Sequence, residues 1–437
     1  MTMAVTAIKI RMYDVGFGDA FLITLVQGAK SWRMLVDCGV HSLGKARPLI
    51  DVVRAIIAEL TAASSPGSPP ALDVVVATHH HADHIAGFAY PDWEAVQVGE
   101  VWVPFVEDPS DPDAVALKSG LDRSATALNA LVGRAATAAG RGAAPLKALA
   151  MAGALAVNSL GNTAATDRLL GRNGKHFRNN PTVRYLPNKS AALNVLPTSL
   201  HSVLIHVLGP SRDPNDLKRM DPPSSDRWQA RQRAFEAQAA DAATPADGPA
   251  PPEDIFDDMY QVSPVEAGEY IGAEIVAALD SLDLDKLMDD SDEFLAAASI
   301  LERSVNNTSV FFVLDVAGTH LVFVGDSQQG AWDHVLSDPA ARPLVSNPAF
   351  YKIGHHGSHN ATPRDYVASC LGRQGAYTML PYGNVRQWGD IPNAALLGAL
   401  ANNNTVLVRA DEPKASGTVE VGPDGLWSEI TIQVDGG

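Results

Sequence analysis

The sequence predicts an α/β fold in which strands and helices form layers. Short β-branched runs at 73–77 and 98–104 have the length and composition of buried strands. Between residues 46 and 63, in contrast, apolar residues recur at the spacing of an amphipathic helix, and several prolines follow it. In both halves of the chain, His and Asp residues directly follow strands, where α/β proteins hold their ligands. These observations favour a layered arrangement with a helix packed on a sheet.

The first elements are three strands. Two strand-like runs between residues 7 and 25 flank a tight glycine-containing turn that carries Asp14 and Asp19. A third strand follows at 32–36 and leads to Asp37. Because Asp beside Gly is the usual composition of a turn, Asp14 and Asp19 alone are weak evidence for a site.

The middle of the chain departs from this pattern. Alanine and leucine dominate between residues 111 and 160, which predicts two or three helices. We expect a large, mainly helical insertion with one core strand near 202–208 and a flexible linker near 240–253, where Ala, Pro and Asp dominate. The predicted division is an N-terminal half of the parent fold at 1–106, the insertion at 107–300 and a C-terminal half at 301–437.

Composition and charge limit the classes of function. The chain has 437 residues, of which 46% are hydrophobic and 19% charged, as in a globular protein. Its net charge of −17 opposes non-specific binding to nucleic acid, which needs a basic surface to displace counterions from phosphates. We interpret the one basic cluster as a solvated helix face, with an anion-binding surface as the alternative. Its members are Lys218, Arg219, Arg227, Arg231 and Arg233.

The sequence also predicts a cytoplasmic protein without a membrane segment. No apolar run approaches the length of about 18 residues that suggests a membrane helix, and the N-terminus does not resemble a secretory leader. The two cysteines, Cys38 and Cys370, are too few for a disulfide framework, which agrees with a reducing compartment. We expect each to be a small buried apolar residue.

One motif concentrates the chemistry. His-x-His-x-Asp-His at 79–84 directly follows a predicted buried strand. Imidazole and carboxylate groups suit zinc, manganese or iron, and four of them exceed what one tetrahedral site with an open position needs. On an extended stretch His79 and His81 point the same way and can bind one ion, whereas Asp83 and His84 can serve a second. A solvated histidine-rich loop is disfavoured, because such a tract would not combine an Asp-His pair with an apolar strand.

Two later strands carry further candidate ligands. A hairpin over 310–326 ends in Asp326, a carboxylate that can bridge two ions held by the first motif. The next strand, at 349–353, leads to His355 and His356, which add a nitrogen ligand.

Taken together, these motifs resemble the metallo-β-lactamase superfamily. The residues that carry the resemblance are, in order, Asp37, the motif at 79–84, Gly325-Asp326 and the run from His355 to Ser358. A smaller set is similar to the branch that contains the hydrolase domain of ComEC-type competence proteins. This set comprises the turn from Asp14 to Ala20, Asn307-Thr308-Ser309 and the His-His-Gly-Ser run. The resemblance covers residues 7–105 and 300–430.

The resemblance implies an αββα sandwich with two divalent metal ions, zinc or manganese, at one edge of its sheets. It implies that His79 and His81 bind the first ion and that Asp83 and His84 bind the second. Asp326 would bridge both ions.

The same resemblance assigns roles around the ions. His355 would complete the second site and His356 would lie beside the substrate, although the order of these two residues stays open. Asp37 would fix the metal loop through hydrogen bonds. Asp14 and Asp19 are further candidates for orienting ligands or contacting substrate.

Relatives often supply one more metal histidine after the central strand. Here His201 and His206 are the nearby histidines, and both lie in the predicted strand region. We interpret them as core histidines rather than ligands.

We expect a dinuclear hydrolase that uses a metal-bound hydroxide. Phosphodiesters are the preferred substrates, so the expected activity is that of a phosphodiesterase or nuclease. A nucleotide, a single-stranded nucleic acid or a small phosphoester agrees with the acidic charge better than duplex DNA does. Asp83 or Asp326 would handle a proton, and His356, Ser358 and His359 would contact the developing anion.

Two alternatives stay open. The same metal site could hydrolyse an ester, lactone or lactam. The chain could instead be a non-catalytic metal-binding protein whose insertion at 107–300 contacts a protein partner.

Overall fold

The computed structural model describes residues 4–121, 158, 162–190, 194–222, 303–372, 375–385 and 391–434. It is a mixed α/β protein with two multi-stranded sheets and helices, which confirms the predicted α/β class. Among the described residues, no helix combines the length and apolar character needed to cross a membrane.

The secondary structure follows the predicted order through most of both halves. The strands are β1 (Ala7–Tyr13), β2 (Ala20–Gln27), β3 (Lys30–Cys38), β4 (Ala71–Val76), β5 (Gln97–Pro104), β6 (Thr182–Leu186), β7 (Val195–Pro197), β8 (Val203–Gly209), β9 (Phe311–Val316), β10 (Thr319–Phe323), β11 (Phe350–Lys352), β12 (Tyr377–Leu380), β13 (Val406–Arg409), β14 (Val419–Val421) and β15 (Trp427–Gln433). The helices are α1 (Leu49–Ala62), α2 (Ala82–Ile85), α3 (Thr163–Leu169), α4 (Pro214–Lys218), α5 (Gln329–Ser337), α6 (Arg342–Val345), α7 (Arg364–Ser369) and α8 (Ala394–Asn402). Residues 112–121 are also helical.

The first sheet has eight strands in the order β14-β15-β1-β2-β3-β4-β5-β6. Strands β3 to β6 run parallel to one another. Because parallel strands end at the same edge of a sheet, Asp37 in β3 lies beside the motif that follows β4. The last strand, β15, pairs with β1, so both ends of the chain contribute to this sheet.

The second sheet has seven strands in the order β13-β12-β11-β10-β9-β8-β7. Strands β10 to β13 run parallel to one another. Asp326 comes shortly after β10 and His355 shortly after β11. The candidate ligands of the second half therefore also lie at the carboxyl ends of neighbouring parallel strands.

One apolar core contains side chains from both sheets. Ile8, Ile10 and Met12 alternate along β1, so all three face this core. Across it, the ring centroids of Phe21 in the first sheet and Phe323 in the second lie 6.4 Å apart. Burial of these faces brings together the two sheet edges that carry the candidate ligands.

Helices pack on each sheet through separate cores. Val52 and Ile56 of α1 are buried in a cluster with residues of the first sheet such as Val75. The helical spacing of these residues follows from the 3.6-residue period that predicted the helix. In the second sheet, Tyr351 packs with Trp332 of α5 in another cluster.

The middle segment contains more strands than predicted. The predicted strand near 202–208 is β8, and β6 and β7 are present in addition. In β6, Val183 and Tyr185 alternate with the polar residues Thr182 and Arg184, as expected for a short strand at a sheet edge. The sequence did not predict this strand because its pattern extends over only five residues, directly after Asn179, Asn180 and Pro181, which favour a turn.

Several predictions lie outside the described residues. They are most of the helices predicted between 111 and 160, the linker near 240–253, and the basic residues Arg227, Arg231 and Arg233. Of the other two basic residues, Arg219 forms an ion pair with Asp333 at 2.8 Å. Cys38 and Cys370 are buried free thiols, as predicted.

Candidate metal centre

Asp37 fixes the motif that follows β4. The backbone N–H and the hydroxyl of Thr78 donate hydrogen bonds to the two carboxylate oxygens of Asp37, each at 2.7 Å. The motif then passes through an extended His81 into the short helix α2, and His79, His81, Asp83 and His84 are all buried. Asp37 therefore fixes the start of this motif through hydrogen bonds, as the resemblance implies.

Two glycines allow the backbones to approach this closely. A Cβ atom on Gly39 would lie 2.4 Å from the carbonyl oxygen of Ala82 and from the amide nitrogen of His84. Gly325, directly before Asp326, has a φ of +53°, and a Cβ there would lie 2.8 Å from Ser309 Cβ. Both positions exclude larger residues because the loop, β3 and the end of the second hairpin pack without space between them.

Four side chains from three segments converge in the first group of candidate ligands. Asp83, His84, Asp326 and His356 each offer one ligand atom, and these atoms lie within 4.8 Å of one another. His84 Nε2 lies 3.2 Å from Asp326 Oδ2, and His356 Nε2 lies 3.3 Å from Asp83 Oδ2. All four residues are buried.

The opposite nitrogen of each imidazole has its own partner. His84 Nδ1 lies 2.8 Å from Asp37 Oδ2, and His356 Nδ1 lies 2.7 Å from the carbonyl oxygen of Pro381. Both partners are hydrogen-bond acceptors, so each Nδ1 carries the donated proton. Each Nε2 then directs a lone pair towards carboxylate oxygens when the ring is neutral. Such a convergence of acceptors is stable when a cation lies between them.

A second group contains His79, His81 and Asp83, again with ligand atoms within 4.8 Å. His79 Nε2 and His81 Nδ1 lie 3.0 Å apart. The other nitrogen of His79 lies 3.2 Å from Ser309 Oγ, which accepts a hydrogen bond from the backbone of Asp326. A third group comprises Asp19, Asp37 and His84. Asp83 belongs to the first and second groups and Asp326 only to the first, whereas the sequence predicted Asp326 as the shared ligand.

The charges around the site favour a cation. Burial opposes the positive form of His84, but Asp326, Asp19 and Asp37 outweigh it and raise the pKa of His84 well above its usual value. Burial likewise opposes ionisation of Asp326, yet His84 and Lys352 lower its pKa well below the usual value. For His79, burial and the neighbouring histidines His84 and His81 lower the pKa, which favours the neutral ring that metals bind.

Lys352 is a buried residue of the site that the sequence did not reveal. It lies in β11, and its ammonium group contacts the carbonyl oxygen of Gly325 at 2.8 Å, Asp19 Oδ2 at 2.5 Å and Asp326 Oδ1 at 3.3 Å. An ammonium group has three donors, so these three oxygens match its capacity. Burial opposes the charge, but Asp19 and Asp326 outweigh it and raise the pKa of Lys352 above its usual value. Lys352 thus links Asp19, a predicted candidate, to Asp326.

Comparisons with known proteins assign no family to this chain. No protein-family profile matches the chain, and no curated protein matches it. The described residues nevertheless contain buried groups of His and Asp with ligand atoms close enough to bind a metal ion.

The two histidines after β11 differ from the prediction in which of them joins the candidate ligands. His356, not His355, joins the group of candidate ligands. His355 Nε2 instead lies 3.3 Å from Asn306 Nδ2, while its backbone N–H donates to Asp326 Oδ1 at 3.0 Å. Both histidines have a positive φ, 43° and 51°, in a tight turn at His355–Gly357. The strand pattern that predicts side-chain direction ends before this turn, so it could not order the pair.

The remaining predicted candidates lie around these groups. Asp14 accepts hydrogen bonds from the backbone of Gly16 and from Arg47, as a turn residue does. Ser358 Oγ donates to Asn360 Oδ1 at 2.8 Å. His359 is 28% exposed and its Nε2 lies 3.5 Å from Asp221 Oδ1. These three residues do not belong to any of the three groups of candidate ligands among the described residues.

The two histidines near β8 do not join the site. His201 lies in an exposed turn, with its ring 2.7 Å from Ser202 Oγ, so it is not a core residue. His206 lies within β8, and its Nε2 is 3.7 Å from Asp315 Oδ2. A different residue, Asn158, contacts the site, since its Nδ2 donates to Asp83 Oδ1 at 3.1 Å.

Proposed function

We propose that this chain is a metal-dependent hydrolase with a dinuclear centre of the metallo-β-lactamase type, and that it cleaves phosphodiesters. The observation that carries the proposal is the direction of the imidazoles of His84 and His356. Each ring uses Nδ1 for a protein acceptor and turns Nε2 towards the carboxylates of Asp83 and Asp326. A neutral core histidine needs no such arrangement, whereas a metal ligand does.

The arrangement of the cores supports an αββα sandwich. Two sheets share one core, and helices contribute to separate cores with each sheet. The candidate ligands follow β4 in one sheet and β10 and β11 in the other. This is the edge at which the superfamily resembled by the sequence carries its metals.

The donor set fits two divalent cations, zinc or manganese. His79, His81 and Asp83 would hold one ion, and Asp83, His84, Asp326 and His356 would hold the other. When bound, a pair of divalent cations supplies Lewis acidity and activates water for attack at neutral pH. Imidazole and carboxylate ligands in these numbers match that use, since a catalytic site leaves a position open for water or substrate.

The surrounding residues orient the ligands before any substrate arrives. Asp37 fixes the ring of His84, and Lys352 fixes the carboxylate of Asp326. Phe17 packs against the ring of His356 with centroids 3.9 Å apart and is 4% exposed. Such packing excludes water from one side of the ligands and holds the imidazole in one orientation.

Two histidines in or near the tight turn are candidates for contact with the substrate. His355 is 8% exposed and adjacent to the ligand His356, and its backbone is tied to Asp326. His359, 28% exposed, lies four residues further along. We assign His355 and His359 to contact with the substrate and His356 to metal binding. The roles of His355 and His356 are therefore the reverse of those expected from the resemblance.

The charge of the site favours an anionic substrate. Asp19, Asp37, Asp83 and Asp326 are buried carboxylates, and Lys352 is the buried ammonium group among them. With neutral histidines these residues carry a charge of −3, which two divalent cations would change to +1. A centre with this charge attracts a phosphodiester more strongly than a neutral lactone.

One observation favours a second candidate, the hydrolysis of an ester, lactone or lactam. Phe17 forms an apolar wall beside His356 and packs in turn with Tyr382, whose ring centroid lies 6.2 Å from that of Phe17. An apolar wall suits a substrate with a hydrophobic group next to its carbonyl.

A panel of substrates separates these functions. The protein loaded with zinc or with manganese is assayed with bis(p-nitrophenyl) phosphate, with a homoserine lactone and with nitrocefin. We expect turnover of the phosphodiester that is lost in Asp326→Asn and retained in Asp365→Asn, an exposed carboxyl 60% open to solvent. Turnover of the lactone or of nitrocefin alone would assign the second candidate. Absence of turnover with every substrate and both metals would favour a non-catalytic role.

A further inference from the structure

The group formed by His79, His81 and Asp83 is short of ligands. It offers three side chains, and Asp83 is shared with the neighbouring group. His201 and His206, the residues from which a further ligand was considered, do not join it. A further ligand for this group would have to come from another described side chain.

Asn158 lies at the oxygen of Asp83 that is not committed to the other group. Asp83 Oδ2 lies 3.3 Å from His356 Nε2, whereas Asp83 Oδ1 lies 3.1 Å from Asn158 Nδ2. Asn158 is 3% exposed, so its amide lies within the buried site. Oδ1 is the oxygen of Asp83 that remains for the group with His79 and His81.

The amide oxygen of Asn158 has no hydrogen-bond partner among the described residues, although it is buried. An unsatisfied buried carbonyl is unfavourable and calls for an explanation. Half a turn of the amide exchanges its oxygen and nitrogen. The oxygen would then face Asp83 Oδ1, and two acceptors in contact require a cation between them.

We infer that Asn158 is an additional ligand, through its amide oxygen, of the ion held by His79, His81 and Asp83. The inference rests on the metal centre of the proposed function and adds a ligand from the segment at 107–300. Without a cation, Nδ2 donates to Asp83, and with a cation the amide oxygen takes that place. An amide oxygen is a hard ligand, so it makes this position more favourable for manganese relative to zinc.

Metal binding by the full chain tests this assignment. Protein stripped of metal with a chelator is titrated with Mn²⁺ and with Zn²⁺ by calorimetry, for the wild type, Asn158→Ala and Asn158→Asp. The control is Asn403→Ala, because Asn403 Nδ2 donates to the carbonyl oxygen of Val367 at 2.6 Å, away from the candidate ligands. This control removes an amide contact without touching the loop at 79–84.

We expect Asn158→Ala to weaken one of two binding events by about 10- to 100-fold and to leave the other unchanged. Asn158→Asp keeps an oxygen ligand of the same length, so it should bind both ions at least as tightly as the wild type. Asn403→Ala should bind both ions like the wild type. Thermal unfolding of the metal-free variants verifies that each is folded. If Asn158→Ala is not folded, a loss of affinity in Asn158→Asp relative to the wild type overturns the assignment.

Two results would overturn the assignment. Wild-type affinity of Asn158→Ala for both ions would remove Asn158 from the ligands. A loss in Asn158→Asp as large as that in Asn158→Ala would mean that position 158 only donates to Asp83, because a carboxylate cannot donate. These failures differ from failure of the proposed function, in which the wild type itself binds no ion.

Discussion

The ring of His84 lies between two carboxylates, with Nδ1 2.8 Å from Asp37 Oδ2 and Nε2 3.2 Å from Asp326 Oδ2. Asp37 also accepts both hydrogen bonds from Thr78, so one carboxylate fixes the ring and the start of the metal loop. Residues that orient metal ligands typically contribute a factor of 10 to 100 in affinity.

Asp37→Ala should therefore weaken metal binding by about 10- to 100-fold, measured by competition with a chromophoric chelator. Asp14→Ala is the matched control, since Asp14 is an acid of the neighbouring turn that contacts Arg47 and not the ligands. Equal affinities of the Asp37 and Asp14 variants would contradict the role of Asp37.

The different positions of His355 and His356 give a second prediction. His356→Ala should lose one bound ion, because its Nε2 belongs to the group with Asp83 and Asp326. His355→Ala should keep both ions and lose phosphodiester turnover, because its side chain lies outside that group. Elemental analysis and steady-state kinetics of both variants separate the two roles. Loss of an ion in His355→Ala with retention in His356→Ala would restore the order expected from the sequence.

Lys352 gives a prediction about stability. Lys352→Met leaves the buried carboxylates of Asp19 and Asp326 without their ammonium partner. Removing one member of a buried ion pair typically costs about 3–5 kcal/mol, so the free energy of unfolding of the metal-free protein should fall by that amount. Lys9→Met is the control, because Lys9 is 45% exposed and its partner Glu429 keeps an ion pair with Arg11 at 2.8 Å, so this variant should lose much less stability.

A second substitution tests whether the unpaired carboxylates cause the loss of stability in Lys352→Met. Asp19→Asn in the Lys352→Met background removes one unpaired charge and should recover part of the lost stability in urea denaturation. A loss of stability in Lys352→Met no larger than in Lys9→Met would show that the buried ion pair contributes nothing.

Glu107 gives a prediction about pH. Burial opposes its ionisation, but the hydrogen bond with His80 and the charge of Lys118 outweigh burial and lower its pKa from 4.5 to about 2. A lowered carboxyl pKa stabilises the folded protein above the unfolded-state pKa, and this contribution is lost as the pH falls towards 2. The difference in pKa corresponds to about 3 kcal/mol.

Glu107→Gln should lower the free energy of unfolding most at pH 5 to 7, by about 3 kcal/mol, and progressively less below pH 4.5. Urea denaturation of metal-free protein at several pH values measures the difference. Glu420→Gln, at an exposed position in β14, should have no effect. A difference between wild type and Glu107→Gln that does not change with pH would contradict the lowered pKa.

Local patterns predicted much of the fold because burial imposes a period on the residues. The alternation in β1 and the helical spacing in α1 are direct records of which faces are buried. The pairing of β15 with β1 could not be predicted in the same way. Strands more than 400 residues apart meet through the overall topology, and no local spacing encodes that contact.

Some residues of the candidate site could be predicted from the sequence, whereas others could not. His79, His81, Asp83 and His84 lie in one short motif, so their chemistry was visible in the sequence. Lys352 resembled any lysine in a strand, because its partners come from distant segments. Asn158 was hidden for the same reason, since a lone Asn among alanines carries no signal of a contact with Asp83.

The proposed dinuclear hydrolytic centre lies at the buried His/Asp groups. The most direct measurement is the metal content of the purified wild-type protein and of Asp326→Ala by elemental analysis, paired with a bis(p-nitrophenyl) phosphate assay of the same samples. We predict about two equivalents of zinc or manganese in the wild type, with turnover that Asp326→Ala loses. Absence of bound metal in the wild type after reconstitution, or equal turnover in Asp326→Ala, would contradict this proposal.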